Sequence, residues 1–305
     1  MKPINQNWHE NGPIVIGGLG GSGTRLVAEI LIKLGFFMGH DLNGANDNLL
    51  YTLLFKRPRW FYKNRQNKNE IHQGLSVLHK LMLFDNALSP SEICFLLQAT
   101  SSMAFFGENH KKNGKGISAV KRMIKATGMK RKIKQNDYIG WGWKEPNSHL
   151  ILDELSTHYR NFKYIHTMRH GLDMAFSENQ QQLYNWGRLY DVPSPKDKTS
   201  EHMAAFQYWL NVHEKIKSQG ESLPKEQFLL LNFDHLCTSP ELEIPKLLSF
   251  LNINVDKHAY HELLKLPKRP HSMGRFKHHD ISKFNRTNIE HLHTFGFDVK
   301  TPYNK

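Results

Sequence analysis

Cysteine is almost missing from this sequence: Cys94 and Cys237 are the only two in 305 residues. They lie far apart with no metal-type spacing, so we read them as two buried thiols in a reducing, cytoplasmic compartment. No run approaches the ~18–20 apolar residues of a membrane span. The polar start, MKPINQNWHENG, has no apolar h-region, so no signal peptide is expected. There is no internal repeat and no low-complexity tract. Acidic residues are also scarce, 28 Asp and Glu against 41 Lys and Arg, a net charge of +13. A surface so basic attracts anions: nucleic acid, an acidic membrane, an acidic polysaccharide, or a sulfated or phosphorylated ligand. Charge alone does not choose among them.

What is present reads as a soluble globular chain, 39% hydrophobic, 23% charged and 11% aromatic. The length suits one large α/β domain or two small ones. Residues 13–18 (PIVIGG) form a short apolar run ending in glycines, as a buried parallel strand does. From Thr24, Leu26, Val27, Ile30, Leu31 and Leu34 recur at helical spacing, and Gly35 is a C-terminal stop. Residues 36–110 read as helical and irregular, with Ser89-Pro-Ser-Glu92 as a capping box opening a helix to about Ala104.

Between residues 111 and 134 stand Lys111, Lys112, Lys115, Lys121, Arg122, Lys125, Lys130, Arg131, Lys132 and Lys134, with no acidic residue among them. This run is either a solvated basic face or a funnel for an anionic substrate. Further strands are expected at 138–143 (YIGWGW), 163–168 (KYIHTM) and 228–233 (FLLLNF). Helices are expected from Ser148, over 172–186, 201–218, 240–251 and 257–266, and near 285–294. Strands alternating with helices imply an α/β fold with a parallel central sheet flanked by helices, plus a helical insertion after the first helix.

The strongest local signal is GGLGGSGTR at residues 17–25. Its glycines let the backbone turn tightly and aim several N–H groups at one point, and the helix that starts there adds its positive end. The plain alternative is a tight turn that binds nothing. The ATP and GTP loop needs G-x4-G-K-[ST]. Here Gly18-Leu-Gly-Gly-Ser-Gly23 keeps the glycine spacing, but Thr24 replaces the lysine and Arg25 the magnesium-binding hydroxyl. A guanidinium carries only donors and cannot ligate Mg²⁺. A dinucleotide site expects an acidic residue about 20 positions on, at a strand end. Asp41 and Asp47 exist, but no strand is read before them.

After KYIHTM comes Arg169-His-Gly-Leu-Asp-Met-Ala-Phe-Ser177. An arginine at a strand's C-terminal end points into the ligand crevice of an open sheet. Ser177, about two helical turns later, faces the same way and completes a guanidinium–hydroxyl clamp for a second phosphate.

With these residues the chain resembles the sulfotransferase superfamily, which uses 3′-phosphoadenosine 5′-phosphosulfate and has a P-loop NTPase-like fold. Gly21-Ser22-Gly23-Thr24-Arg25 aligns with the family's [KR]-S-G-T-T loop, so the resemblance implies that Gly20, Gly21, Ser22, Gly23, Thr24 and Arg25 hold the 5′-phosphosulfate. Two positions depart: Gly21 stands at the usual basic residue and Arg25 at the second threonine. Arg169 and Ser177 match the residues that grip the 3′-phosphate. FLLLNFDHLCTSPELEIPKLLSFLNI is similar to the family's strand-"YEDL"-"P"-helix-"FLG" stretch, with Asp234 and Leu236 in place. Trp209 falls where the family often has a tryptophan. Arg275, in Ser272-Met-Gly-Arg275-Phe, matches a nucleotide-holding arginine of a C-terminal loop.

The resemblance also implies a catalytic lysine after a strand, here Lys144 in Trp143-Lys144-Glu145-Pro146, donating to the bridging oxygen. The base stays open. Some family members use a histidine where this chain has Pro146. Glu145 is adjacent, and His149 and Asp47 are further candidates. His40 and Asp41 share Asp47's segment.

The expected protein is therefore a single sulfotransferase-like domain over 1–305, with 36–134 a basic helical cap over the acceptor. It would need no metal, no nucleic acid and no membrane span. It would transfer sulfuryl from the nucleotide donor to a hydroxyl or amine of an unidentified acceptor. That acceptor would be a carbohydrate or small metabolite, and the basic run suits an anionic one. The alternatives are an ATP-dependent P-loop kinase and a non-catalytic nucleic-acid-binding protein.

Overall fold

A computed structural model describes residues 11–83, 87–105, 115–128 and 138–299. Among the described residues no helix is long and apolar enough to cross a membrane. The contacts divide the chain into two compact units. One comprises Lys2–Gly17 and Val27–Ile165, here the N-terminal unit. The other comprises Gly18–Leu26 and His166–Lys305, here the C-terminal unit.

The chain starts with β1 (Ile14–Gly18), buried at every position, as its uninterrupted apolar run predicts. Helix α1 (Thr24–Lys33) begins at the expected residue, and Gly35 follows it with φ +96° as the helix stop. A two-residue strand, β2 (Phe36–Phe37), comes next and was not expected. It is too short for a period-2 pattern to register in sequence. Its presence also means that a strand does precede Asp41.

The rest of the N-terminal unit is built on α2 (Leu49–Phe55), α3 (Pro58–Asn64), α4 (Lys68–Met82), α5 (Pro90–Phe105) and α6 (Lys115–Gly128). Asn48 caps α2 by accepting from the Tyr51 N–H at 2.9 Å. On α4, Ile71, Leu75, Leu78 and Met82 are buried at helical spacing. The expected capping box of α5 forms: Glu92 Oε2 accepts from the Ser89 N–H at 2.7 Å, and Ser89 Oγ from the Glu92 N–H at 3.3 Å. Of the basic run, Lys121, Arg122 and Lys125 lie on α6. Lys111, Lys112, Lys130, Arg131, Lys132 and Lys134 fall outside the described residues, as does the side chain of Lys115.

Strand β3 (Gly140–Lys144) runs parallel to both β1 and β2, with Ile14 beside Gly142 and Ile16 beside Lys144. Its tryptophans, Trp141 and Trp143, are fully buried and pack with Tyr159. After β3 the chain does not wait for Ser148 to turn helical. A 3₁₀ turn starts at Pro146, favoured by that residue's fixed φ, and leads into α7 (Leu152–His158). Strand β4 (Lys163–Met168) has the expected bounds.

The single helix expected over 172–186 is two helices, α8 (Gly171–Ala175) and α9 (Gln181–Trp186). The side chain of Gln180 interrupts them by donating to the carbonyls of Met174, Ala175 and Ser177, ending α8. Helix α10 (Lys198–Glu221) starts earlier than expected because Asp197 and Ser200 form a capping box. It buries Phe206, Trp209, Val212 and Ile216 along one face. Then follow β5 (Phe228–Asn232), α11 (Phe233–Thr238), α12 (Pro240–Leu251), α13 (Lys257–Leu264) and α14 (Arg286–His291).

The five strands form one sheet in the order β2-β3-β1-β4-β5. The order reverses at β1, and in open α/β sheets ligands bind beyond the strands' C-terminal ends at such a point. Both cysteines are free, but the expectation of two buried thiols is half right at best. Cys94 is exposed on α5, because it falls on that helix's outer face. Cys237 is half-buried, and burial pushes its thiol up to about 12.

Candidate functional site

In the C-terminal unit the glycine loop follows β1 directly. The Ser22 N–H closes the turn on the Leu19 carbonyl at 3.0 Å. Gly21 and Gly23 have φ of +93° and +90°, a conformation that costs a side-chain-bearing residue energy. This explains the absent basic residue at position 21: a lysine or arginine there would be strained. At Gly23 a Cβ would also lie 1.9 Å from the Phe233 ring. The first turn of α1 carries no acidic side chain to compete for its N–H groups. Ser22 is buried and its Oγ has no hydrogen-bond partner among the described residues. The Gly20 N–H donates to Gln182 Oε1 at 2.6 Å, so the loop presents at least one N–H to an oxygen acceptor. Thr24 is buried, and Arg25 is exposed on the first turn of α1.

In the same unit, Arg169 follows the last residue of β4 and is 5% exposed. Its carbonyl accepts from Trp209 Nε1 at 3.0 Å. Its guanidinium donates to Ser272 Oγ at 3.0 Å and lies 3.5 Å from the Asp173 carboxylate, while Nε has no hydrogen-bond partner among the described residues. Asp173, fully buried, also accepts from the backbone N–H of Gly274 at 2.6 Å and of Phe276 at 3.1 Å. One carboxylate thus ties the segment after β4 to the loop that carries Arg275. Arg275 donates to the carbonyls of Ser272 at 3.2 Å and Phe176 at 3.4 Å. Burial holds the Arg275 guanidinium below its usual range, and the nearby charge of Arg169 adds to this.

Ser177 is the residue after Phe176, so the structure brings Arg169, Ser177 and Arg275 into one neighbourhood. The helical-turn reasoning for Ser177 does not hold, since α8 ends at Ala175. The serine lies instead in the following turn, its N–H bonded to the Met174 carbonyl at 3.1 Å. Asp234 anchors this region by accepting from the His170 N–H at 2.8 Å. Burial pushes its carboxyl up to about 6.

The N-terminal unit holds the lysine site. Lys144 is the last residue of β3 and is 2% exposed. Its Nζ donates to the Ala45 carbonyl at 3.0 Å and pairs with the Asp47 carboxylate. Its own carbonyl accepts from the Asn48 N–H at 2.7 Å. The loop before α2 is therefore fastened to the end of β3. Asn43 stiffens that loop by accepting from the N–H groups of Ala45 and Asp47 at 2.8 and 2.9 Å.

Glu145 has no solvent exposure and is turned inward. It accepts from the Asn147 N–H at 2.7 Å and Asn147 Nδ2 at 2.9 Å, with Lys56 at 3.5 Å. Burial raises its pKa above the ordinary carboxylate range; Lys56 opposes this and Asp47 adds to it. His149 is buried, with Nδ1 2.9 Å from the Pro146 carbonyl.

Several participants escaped the sequence reading. Asp173 sits inside the quoted Arg169–Ser177 stretch, four residues after the arginine, and that spacing was its only signal. Lys56 and Gln182 carry no sequence signal at all, since they reach their partners from helix ends far away in the chain.

Fold and site define an α/β protein with a glycine turn before its first helix and buried cations following its strands. The profile of the sulfotransferase family matches residues 13–257. The chain belongs to the sulfotransferase family, and the protein is a transferase enzyme. No curated protein sequence matches it. Among solved structures it is similar to the sulfotransferase domain of the Synechococcus olefin synthase, with 15% identity and a TM-score of 0.49 over 96% of each chain. It is similar to the sulfotransferase domain of the curacin biosynthetic pathway, with 17% identity and a TM-score of 0.40 over 86% of this chain and 80% of that one. It is also similar to sulfotransferase STF1 from Mycobacterium tuberculosis, with 13% identity and a TM-score of 0.41 over 84% of this chain and 71% of that one.

Proposed function

We propose that the protein transfers the sulfuryl group of 3′-phosphoadenosine 5′-phosphosulfate to a hydroxyl of a small acceptor, in a cytoplasmic setting that two free thiols suit. The observation that carries this reading is that one buried carboxylate, Asp173, pairs with Arg169 and also accepts from the backbone N–H groups on either side of Arg275, within the unit that also holds the glycine loop. Two guanidiniums gathered beside a hydroxyl suit a phosphate, and the glycine loop suits a second one. The donor fits these residues: among the described residues, Ser22 Oγ and Arg169 Nε are buried polar atoms without a hydrogen-bond partner.

Gly20, Gly21, Ser22, Gly23 and Thr24 hold the 5′-phosphosulfate, with Arg25 adding positive charge at the helix start. Arg169, Ser177 and Arg275 hold the 3′-phosphate. The donor supplies an activated sulfuryl group. As the sulfur–oxygen bond to the acceptor forms and the bond to the bridging oxygen breaks, charge gathers on that oxygen. Lys144 donates to it. Asp47, already paired with Lys144, takes the acceptor's proton. Glu145 is engaged with Asn147 and Lys56, which suits a carboxylate that shapes the turn after Lys144.

The test is thermal stabilisation by adenosine 3′,5′-bisphosphate against ATP–Mg²⁺. The bisphosphate is expected to raise Tm and ATP–Mg²⁺ to do little. Stabilisation by ATP–Mg²⁺ alone would overturn the reading in favour of a kinase.

A further inference from the structure

Position 21 of the glycine loop has no basic side chain, and Arg25 is exposed on the first turn of α1. The loop is nevertheless covered on the side where such a side chain would leave it. A Cβ at Gly20 would lie 3.6 Å from Gln182 Oε1, and one at Gly21 would lie 3.7 Å from Met174 Cε. Both neighbours belong to the stretch that follows Arg169, in the same compact unit as the loop.

Gln182 is held at this place from several directions. Before it, Gln180 Nε2 donates to the carbonyls of Met174, Ala175 and Ser177 at 2.9, 3.0 and 2.8 Å, which fixes the turn between α8 and α9. After it, Leu183 and Trp186 are buried and anchor α9. The side chain itself is half-buried, and its Oε1 accepts from the Gly20 N–H at 2.6 Å. A backbone N–H can donate only to the oxygen of a carboxamide, so this bond fixes the orientation of the group. Nε2, with its two N–H donors, is the other end. The same stretch carries Ser177, next to the Phe176 carbonyl that accepts from Arg275. One short piece of chain thus reaches both phosphate positions of the proposed nucleotide site.

We propose that Gln182 is a binding residue for the 5′-phosphosulfate, its Nε2 donating to an oxygen of that group in place of the basic side chain missing at position 21. This rests on the sulfotransfer reading above. Gly20 then serves the nucleotide through Gln182, its N–H orienting the carboxamide. The amide supplies a directed hydrogen bond without charge, while Arg25 and the start of α1 supply the positive field.

The experiment is calorimetric titration of the full chain, as wild type, Gln182→Ala and Gln182→Glu, with adenosine 3′,5′-bisphosphate and with adenosine 3′-monophosphate, which lacks only the 5′-phosphate. Gln182→Glu keeps an oxygen for the Gly20 N–H but replaces the Nε2 donor with negative charge. It is expected to weaken the bisphosphate about tenfold or more, and Gln182→Ala about three- to tenfold. Affinity for the 3′-monophosphate should be unchanged in both, as should the unfolding midpoint without nucleotide. Wild-type affinity in Gln182→Glu would mean that the side chain only holds the loop, and would overturn the inference. Tighter binding by Gln182→Ala, or equal losses for the two nucleotides, would overturn it as well. Each of these outcomes leaves the nucleotide reading standing, since the wild type still binds the bisphosphate. A wild type that binds neither nucleotide would remove that reading and this inference with it.

Discussion

The two units handle their buried charges differently. Around Arg169 in the C-terminal unit, a fully buried carboxylate, a serine hydroxyl and backbone N–H groups hold each other in a network that is closed except at Arg169 Nε, which has no hydrogen-bond partner among the described residues. Around Lys144 in the N-terminal unit, a single loop carbonyl and one half-covered carboxylate meet the ammonium. A closed network holds a fixed geometry, as a site for an invariant ligand requires. On the proposed function, the tightly bonded region around Arg169 belongs to the donor and the sparser one around Lys144 to the acceptor.

The sharpest way to break this contrast is to open the closed network. Asp173→Ala leaves Arg169 buried without its counter-charge and two N–H groups without an acceptor. It should cost about 3–5 kcal/mol in denaturant unfolding. A loss under about 1 kcal/mol would mean that the network is not closed in the sense argued. Next is the lysine site. Lys144→Ala should lower kcat by about 10²–10³ while leaving the affinity for adenosine 3′,5′-bisphosphate nearly unchanged. A matching loss of nucleotide affinity would place Lys144 on the donor side of the contrast.

The smallest effect is a pH dependence hidden inside the closed network. Burial pushes Asp234 from 3.8 up to about 6, so the folded state binds its proton more tightly than the unfolded one. That contribution is complete below pH 3.8 and is lost as pH rises through 6. His170, pushed by burial from 6.5 down to about 4, acts in the opposite sense. Its contribution is complete above pH 6.5 and is lost as pH falls through 4. The two oppose each other across that window. Wild-type stability should be nearly flat there, while Asp234→Asn should lose roughly 2–3 kcal/mol between pH 6.5 and 4. Unfolding midpoints across that pH range check this, and parallel curves for the two proteins would contradict it.

The proposed donor side was also the more legible in sequence. A strand-glycine-helix turn and an arginine after a strand are local patterns, and β1, α1 and β4 start or end within a residue or so of where periodicity places them. Asp173 was within view of that pattern, but only the three-dimensional return of the loop at 272–276 reveals its role. The break between α8 and α9 depends on one side chain, Gln180, capping carbonyls behind it, which apolar periodicity cannot register. On the proposed acceptor side, Asp47 was one of three open candidates for the base. Its pairing with Lys144 spans 97 positions of sequence, and no spacing rule reaches so far. The basic run was readable as charge, whereas the pairing of Lys125 with Asp41 across 84 positions was not.

On the proposed function, the C-terminal unit grips a 3′-phosphate through Arg169. The direct measurement is the affinity of wild type and Arg169→Ala for adenosine 3′,5′-bisphosphate and for adenosine 5′-monophosphate, which lacks only that phosphate. Losing the charge-assisted grip should weaken the bisphosphate by roughly 10–100-fold and leave the monophosphate almost unaffected. Equal losses for the two nucleotides would contradict the claim.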